Sequence, residues 1–128
     1  MTSFLKIYII HYSRLTERKK NIQLLLDPLS VDYEFIETYD RDDLKNVDVT
    51  MFYEDNKKLF SEKVKLWGEK ANEHSTMSES ELSCSIKHIE ALNKISHGNA
   101  EFNLILEDDA IPKYRNFLER ITSFLEKP

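Results

Sequence analysis

Three consecutive carboxylates, Glu107-Asp108-Asp109, follow an apolar run at residues 102–106 (FNLIL). Like charges packed this closely repel unless something positive sits beside them. In extended backbone, residues i and i+2 point to the same side, which would project Glu107 and Asp109 together and turn Asp108 away. An acidic pair of that kind suits a hard divalent cation with oxygen ligands and retained waters, Mg²⁺ or Mn²⁺. Such a cation can hold a diphosphate and neutralise the charge of a leaving group. The same residues also read as a solvated acidic turn that complements the dipole of the next helix. A second set follows the first apolar segment: His11-Tyr12-Ser13-Arg14, with Arg18 one helical turn later. Guanidinium forks suit phosphates, though an exposed basic helix face has the same appearance. Asp40 either meets a base or ribose or starts a turn. Cys84 and His88 are four apart on a helix. A His packed beside a small Cys explains them better than a metal site, since no third ligand is evident.

The elements that must position these groups follow from hydrophobic period. Residues 4–10 (FLKIYII) are β-branched and nearly all apolar, as in a strand covered on both faces. Residues 14–26 carry Leu15, Ile22, Leu25 and Leu26 on one stripe, and Pro28 ends that helix. Residues 31–36 (VDYEFI) alternate as a second strand, giving a βαβ unit with an expected right-handed crossover. Residues 40–50 are acidic and read as loop, and a helical period runs from 51 to 73 through Phe52, Leu59, Phe60, Val64 and Trp67. Ser78 with Glu81 forms a capping box that starts a helix near 79, and Gly98-Asn99 stops it. Projected at 3.6 residues per turn, Leu82, Ile86, Ile89, Leu92 and Ile95 form its apolar face, and Ser83, Lys87, Glu90 and Lys94 its polar one. Residues 102–106 are a further strand. Beyond Pro112, an amphipathic helix carries Phe117, Leu118, Ile121, Phe124 and Leu125. The pattern predicts an α/β fold with an open, mainly parallel sheet flanked by helices. In such sheets ligands bind beyond the carboxyl ends of the strands, where the acidic run lies.

Composition narrows the function. The 128 residues suit one domain with one core. With 18 Lys+Arg against 23 Asp+Glu, the net charge of −5 argues against a sequence-independent nucleic-acid binder. A phosphorylated ligand remains compatible if a metal bridges it to the acids. Two glycines, Gly68 and Gly98, leave no glycine-rich phosphate loop, so P-loop ATPases and dinucleotide dehydrogenases are excluded. The single Cys, Cys84, forms no internal disulfide. The short N-terminal apolar run has neither the layout of a secretory signal nor the length of a membrane span. The expected location is therefore cytoplasmic, with a membrane contacted at most peripherally.

In this order, IYIIHYSRLTER, FIETYDRDDL, ELSCSIKHIEALNKI and FNLILEDDAIP resemble glycosyltransferase family 25, which includes lipopolysaccharide and lipooligosaccharide transferases and collagen galactosyltransferases. The resemblance spans most of residues 5–112, with 41–75 poorly matched. It implies a GT-A-like, Rossmann-like fold and an inverting transferase that takes a UDP-sugar, typically UDP-galactose, to a hydroxyl on a glycan or protein. It further implies that Glu107 and Asp109 hold Mn²⁺ or Mg²⁺, with Asp109 the direct ligand. Arg14, Arg18, Asp40 and Asp108 would contact the nucleotide-sugar, and no catalytic base is identified. The family usually has Asn-Leu at His11-Tyr12, Gly at Ser83, Ser at Lys87 and Gly at Arg41. Its domain continues well past the acidic motif, so this chain corresponds to the N-terminal, donor-binding part. The alternative expectation is a shortened, non-catalytic module that binds a nucleotide or a protein partner without turnover.

Overall fold

The computed structural model describes residues 3–52, 65–66 and 77–127. Three parallel strands, β1 (Leu5–Ile10), β2 (Asp32–Ile36) and β3 (Phe102–Glu107), form an open sheet in the order β2-β1-β3. The α/β expectation holds, and the sheet is parallel throughout. Ile7 pairs with Tyr33 on one side and Leu104 on the other, and Ile10 with Ile36 and Glu107. β1 is thus the central strand, which is why its sequence is nearly all apolar and almost fully buried. Helix α1 (Thr16–Leu26) connects β1 to β2, α2 (Glu79–His97) precedes β3, and α3 (Phe117–Leu125) follows it.

The chain forms two compact units: Met1–Glu37 with Glu90–Pro128, and Thr38–Ile89. In the first, one face of the sheet presents Leu5, Ile7 and Ile9 to Ile22 and Leu26 of α1 and to Phe117, Leu118, Ile121 and Leu125 of α3. Alternation sends Lys6 and Tyr8 to the other face. There Glu34 accepts hydrogen bonds from Lys94, near the end of α2, and forms an ion pair with Lys6 at 3.2 Å. Partial burial would raise the Glu34 carboxyl, but the hydrogen bonds from Lys94 and Lys6 outweigh it and hold the group below its ordinary value.

Pro28 acts as expected. The α-helix stops at Leu26 and a 3-10 turn over Asp27–Leu29 follows. Gly98 closes α2 through its N–H, which donates to the Ile95 carbonyl at 3.2 Å. A Cβ at Gly98 would stand 3.2 Å from the Lys94 carbonyl oxygen and 3.6 Å from the Tyr8 hydroxyl. The capping box also forms, with Glu81 N–H donating to Ser78 Oγ at 3.2 Å.

The second unit includes two 3-10 segments, Arg41–Asn46 and Val49–Met51, where a loop was expected. Its core gathers Leu44, Leu82 and Ile86, with Tyr39, Val49 and Phe52 packed against them. Of the helix expected over 51–73, residues 53–64 and 67–73 lie outside the described residues.

The expected polar face of α2 is corrected here. Ser83 and Lys87 are buried, at 5% and 2% exposure, whereas Ile89 and Leu92 are exposed at 43% and 58%. The buried stripe runs through Leu82, Ser83, Ile86 and Lys87 because each polar member has a partner. Ser83 donates to the Tyr39 carbonyl at 2.7 Å, and Lys87 Nζ donates to Asp40 Oδ1 at 2.5 Å. Partnered polar groups tolerate burial.

Candidate functional site

The register of β1 and β3 builds the core of the site. Ile10 pairs with Glu107, so His11 and Asp108 occupy the next rung, and the Asp108 N–H donates to the Ile10 carbonyl at 3.1 Å. Just beyond the last paired residues the two side chains meet: His11 Nδ1 lies 2.8 Å from Asp108 Oδ2. An ionised carboxylate only accepts, so Nδ1 carries the proton. The other carboxylate oxygen, Oδ1, accepts from Arg18 Nη1 at 3.1 Å. Both oxygens of a carboxylate that is only 9% exposed are therefore engaged. His11 stacks edge-on to Phe35, with ring centroids 5.3 Å apart, and its Nε2 is fully buried. In this arrangement the imidazole orients Asp108, and Nε2 is out of reach of a ligand as a general base.

The extended-strand argument for the acidic run fails one residue early. β3 ends at Glu107, and Asp108 and Asp109 lie in a turn closed by Ala110 N–H on the Glu107 carbonyl at 3.1 Å. Alternation no longer applies there, and Asp108 and Asp109 face the same cavity. That cavity is about 600 Å³, within the range of small-molecule sites. Arg18, Ile22 and Leu25 form its α1 wall, and the turn and following loop, residues 108–115, form the opposite one. Their spacing on α1 puts these three residues on one stripe.

Of the residues singled out by sequence, Arg18, Asp108 and Asp109 are brought together at this cavity. Glu107 is exposed and Arg14 is exposed, and neither is among the residues lining it. Asp40 belongs to the other unit, where it is buried and paired with Lys87. Cys84 and His88 are half-buried on α2. Two lining residues were not anticipated, Lys113 and Arg115. The signal was a pair of cations flanking Tyr114 within six residues of the acidic run, which in sequence resembles any solvated loop.

For a divalent cation, Glu107 and Asp109 offer exposed carboxylate oxygens, the donor type that oxygen-preferring ions take, although only Asp109 lines the cavity. Asp108 fits less well, since His11 and Arg18 already take its oxygens.

A parallel α/β sheet with an acidic turn and a cavity beyond the end of β3 places these residues where open α/β sheets bind ligands. The model of glycosyltransferase family 25 (LPS biosynthesis protein) matches residues 4–128. The chain belongs to that family. No curated protein and no solved structure matches it. Among the described residues, no helix is long and apolar enough to cross a membrane.

Proposed function

We propose that this family member binds a UDP-sugar, with UDP-galactose the first donor to test, and transfers the sugar with inversion to a hydroxyl on a glycan or protein. The observation that carries this reading is the cavity at the ends of β1 and β3, where Arg18, Asp108 and Asp109 meet in a chain of a glycosyltransferase family. Arg18, fixed by Asp108, directs a guanidinium toward the space a diphosphate would fill. Arg14, in the same unit, is a further nucleotide contact in this proposal. Glu107 and Asp109 would hold Mn²⁺ or Mg²⁺, which when bound supplies positive charge opposite the departing nucleoside diphosphate. The apolar wall of Ile22 and Leu25 keeps water from part of the cavity, which strengthens every charge interaction there.

The test is calorimetric titration of UDP with Mn²⁺ into the wild-type chain and Asp109→Ala. The proposal expects saturable binding that weakens at least tenfold in the variant. Absent binding, or equal binding by both proteins, would sink it.

One observation favours the second reading, a module that binds without turnover. Asp108 and Asp40, both expected to meet the nucleotide-sugar, are each engaged by a side chain of this protein, Asp108 by His11 and Arg18, Asp40 by Lys87. UDP-sugar hydrolysis and transfer assays separate the readings: nucleotide binding with neither activity selects the module.

A further inference from the structure

We infer that Lys113 and Arg115 form an anion-binding lip on the cavity, built to take a phosphate ester whose body is a sugar or nucleoside. This rests on the same cavity as the donor reading and deepens it, but its test needs neither uridine nor a metal.

The argument begins with charge. Five charged side chains line the cavity: Arg18, Asp108, Asp109, Lys113 and Arg115. Asp108 is already met by Arg18 and His11. Asp109 then remains as the acid on the cavity wall, against the two cations Lys113 and Arg115. Neither cation has a carboxylate partner among the described residues. The lip is locally positive in a chain whose net charge is −5, so it is not a reflection of composition.

Cations on an exposed loop are ordinarily just solvated. Two features distinguish these. The loop is braced: Pro112 fixes its own φ, and Tyr114 carries Lys113 at 5.5 Å and Arg120 at 3.8 Å from its ring centroid. The surface behind it is apolar, with Ile22, Leu25 and Ile111 on the cavity, and Ile111 is 89% exposed. A charge at the edge of an apolar wall attracts an anion more strongly than the same charge on an open surface. An arginine fork beside a lysine point charge suits a phosphate, and the apolar wall suits the carbon face of a ring. The phosphate could belong to the donor's diphosphate or to a phosphorylated acceptor sugar. Both present the same chemistry to the lip.

The test titrates UDP, galactose 1-phosphate and inorganic pyrophosphate into the wild-type chain, Lys113→Gln/Arg115→Gln and Asp109→Asn, all in EDTA at low ionic strength. EDTA silences any metal route, so this result is independent of the Mn²⁺ titration above. Both lip side chains are exposed, and circular dichroism verifies that the double variant is folded. The wild type is expected to bind at least one probe, with affinity falling about tenfold in the double variant and falling again as salt is raised. In EDTA, Asp109→Asn removes the negative charge that lines the cavity with the lip and should bind the same probes more tightly. A loss confined to UDP assigns the lip to the donor, and a loss that includes galactose 1-phosphate assigns it to a phosphorylated acceptor. No probe bound by the wild type, or equal binding by wild type and double variant, overturns the inference.

Discussion

Lys87→Met should destabilise the 38–89 unit severely, and the loss should be largely reversed by adding Asp40→Asn. Lys87 is 2% exposed and Asp40 is 7% exposed, with the ammonium on Asp40 Oδ1 at 2.5 Å. Methionine keeps the unbranched chain and the volume but removes the charge. Asp40 then loses the cation that Lys87 brings to it, and breaking one side of a buried pair costs about 3–5 kcal/mol. For a chain of this length that corresponds to a fall in Tm of roughly 10–20 °C. Removing both charges removes the one-sided loss. The double variant should therefore lie within about 2 kcal/mol of wild type, the rest being hydrogen bonds that Asn cannot fully replace. An exposed ion pair would behave differently, each single variant costing under about 1 kcal/mol.

The assay is hydrogen exchange followed by mass spectrometry, on peptides covering residues 39–46 and 79–89, alongside thermal melts of the whole chain. Exchange reads each segment's own opening free energy, which matters in a chain with two compact units. The reasoning is refuted if Lys87→Met leaves exchange in both segments within about 1 kcal/mol of wild type. It is equally refuted if the double variant is as damaged as the single one. In that case packing, and not charge, would be what Lys87 contributes.

Two further outcomes follow from the same physics. Ile86→Ala should cost about 2–4 kcal/mol, because Ile86 is fully buried with Leu44 and Leu82. Leu92→Ala, on the exposed side of the same helix, should change stability by no more than about 0.5 kcal/mol; equal costs in urea melts would contradict the observed orientation of α2. The Glu34 carboxyl is held below its ordinary value, so its contribution is present above the ordinary carboxylate range and is lost as pH falls through the folded value. The stability difference between wild type and Glu34→Gln should accordingly shrink between about pH 5 and pH 3. A difference that is flat, or that grows, over that window in urea melts would show that Lys94 and Lys6 do not favour the ionised form.

The elements were legible wherever period and punctuation agreed. FLKIYII could only be a strand covered on both faces, and β1 is the middle of the sheet. Pro28 and Gly98 mark the ends of α1 and α2 because each acts on backbone within its own turn. Ser83 and Lys87 were misassigned because their burial depends on Tyr39 and Asp40, which lie 44 and 47 residues away. No local pattern carries that information, and a helical wheel places lysine outside by default. The acidic run was placed correctly at the end of β3 but read with the wrong geometry. A two-residue period needs extended backbone, and the strand stops at Glu107. Lys113 and Arg115 have no signature at all until the loop is folded against α1.

Two positions that depart from the usual family pattern bear directly on how a ligand could be held. By the sequence resemblance, His11 stands in place of an Asn and Lys87 in place of a Ser. His11 contacts Asp108, and Lys87 contacts Asp40. Serine is neutral, so a Ser at position 87 would not bring a positive charge to Asp40 as Lys87 does. In this chain both carboxylates are supplied from within, and a ligand that approached either would have to displace a formed bond or share the lone pairs left over. Asp109 lies on the cavity with Lys113 and Arg115. The weight of binding therefore moves from the acidic run as a whole to its last residue and the cations that follow it. If that shift is correct, Asp109→Ala and Lys113→Gln/Arg115→Gln should weaken UDP binding by separate routes. The first effect should vanish in EDTA, and the second should persist there. A weakening by Asp109→Ala that persists in EDTA would break this division, because Asp109 would then support binding without a metal.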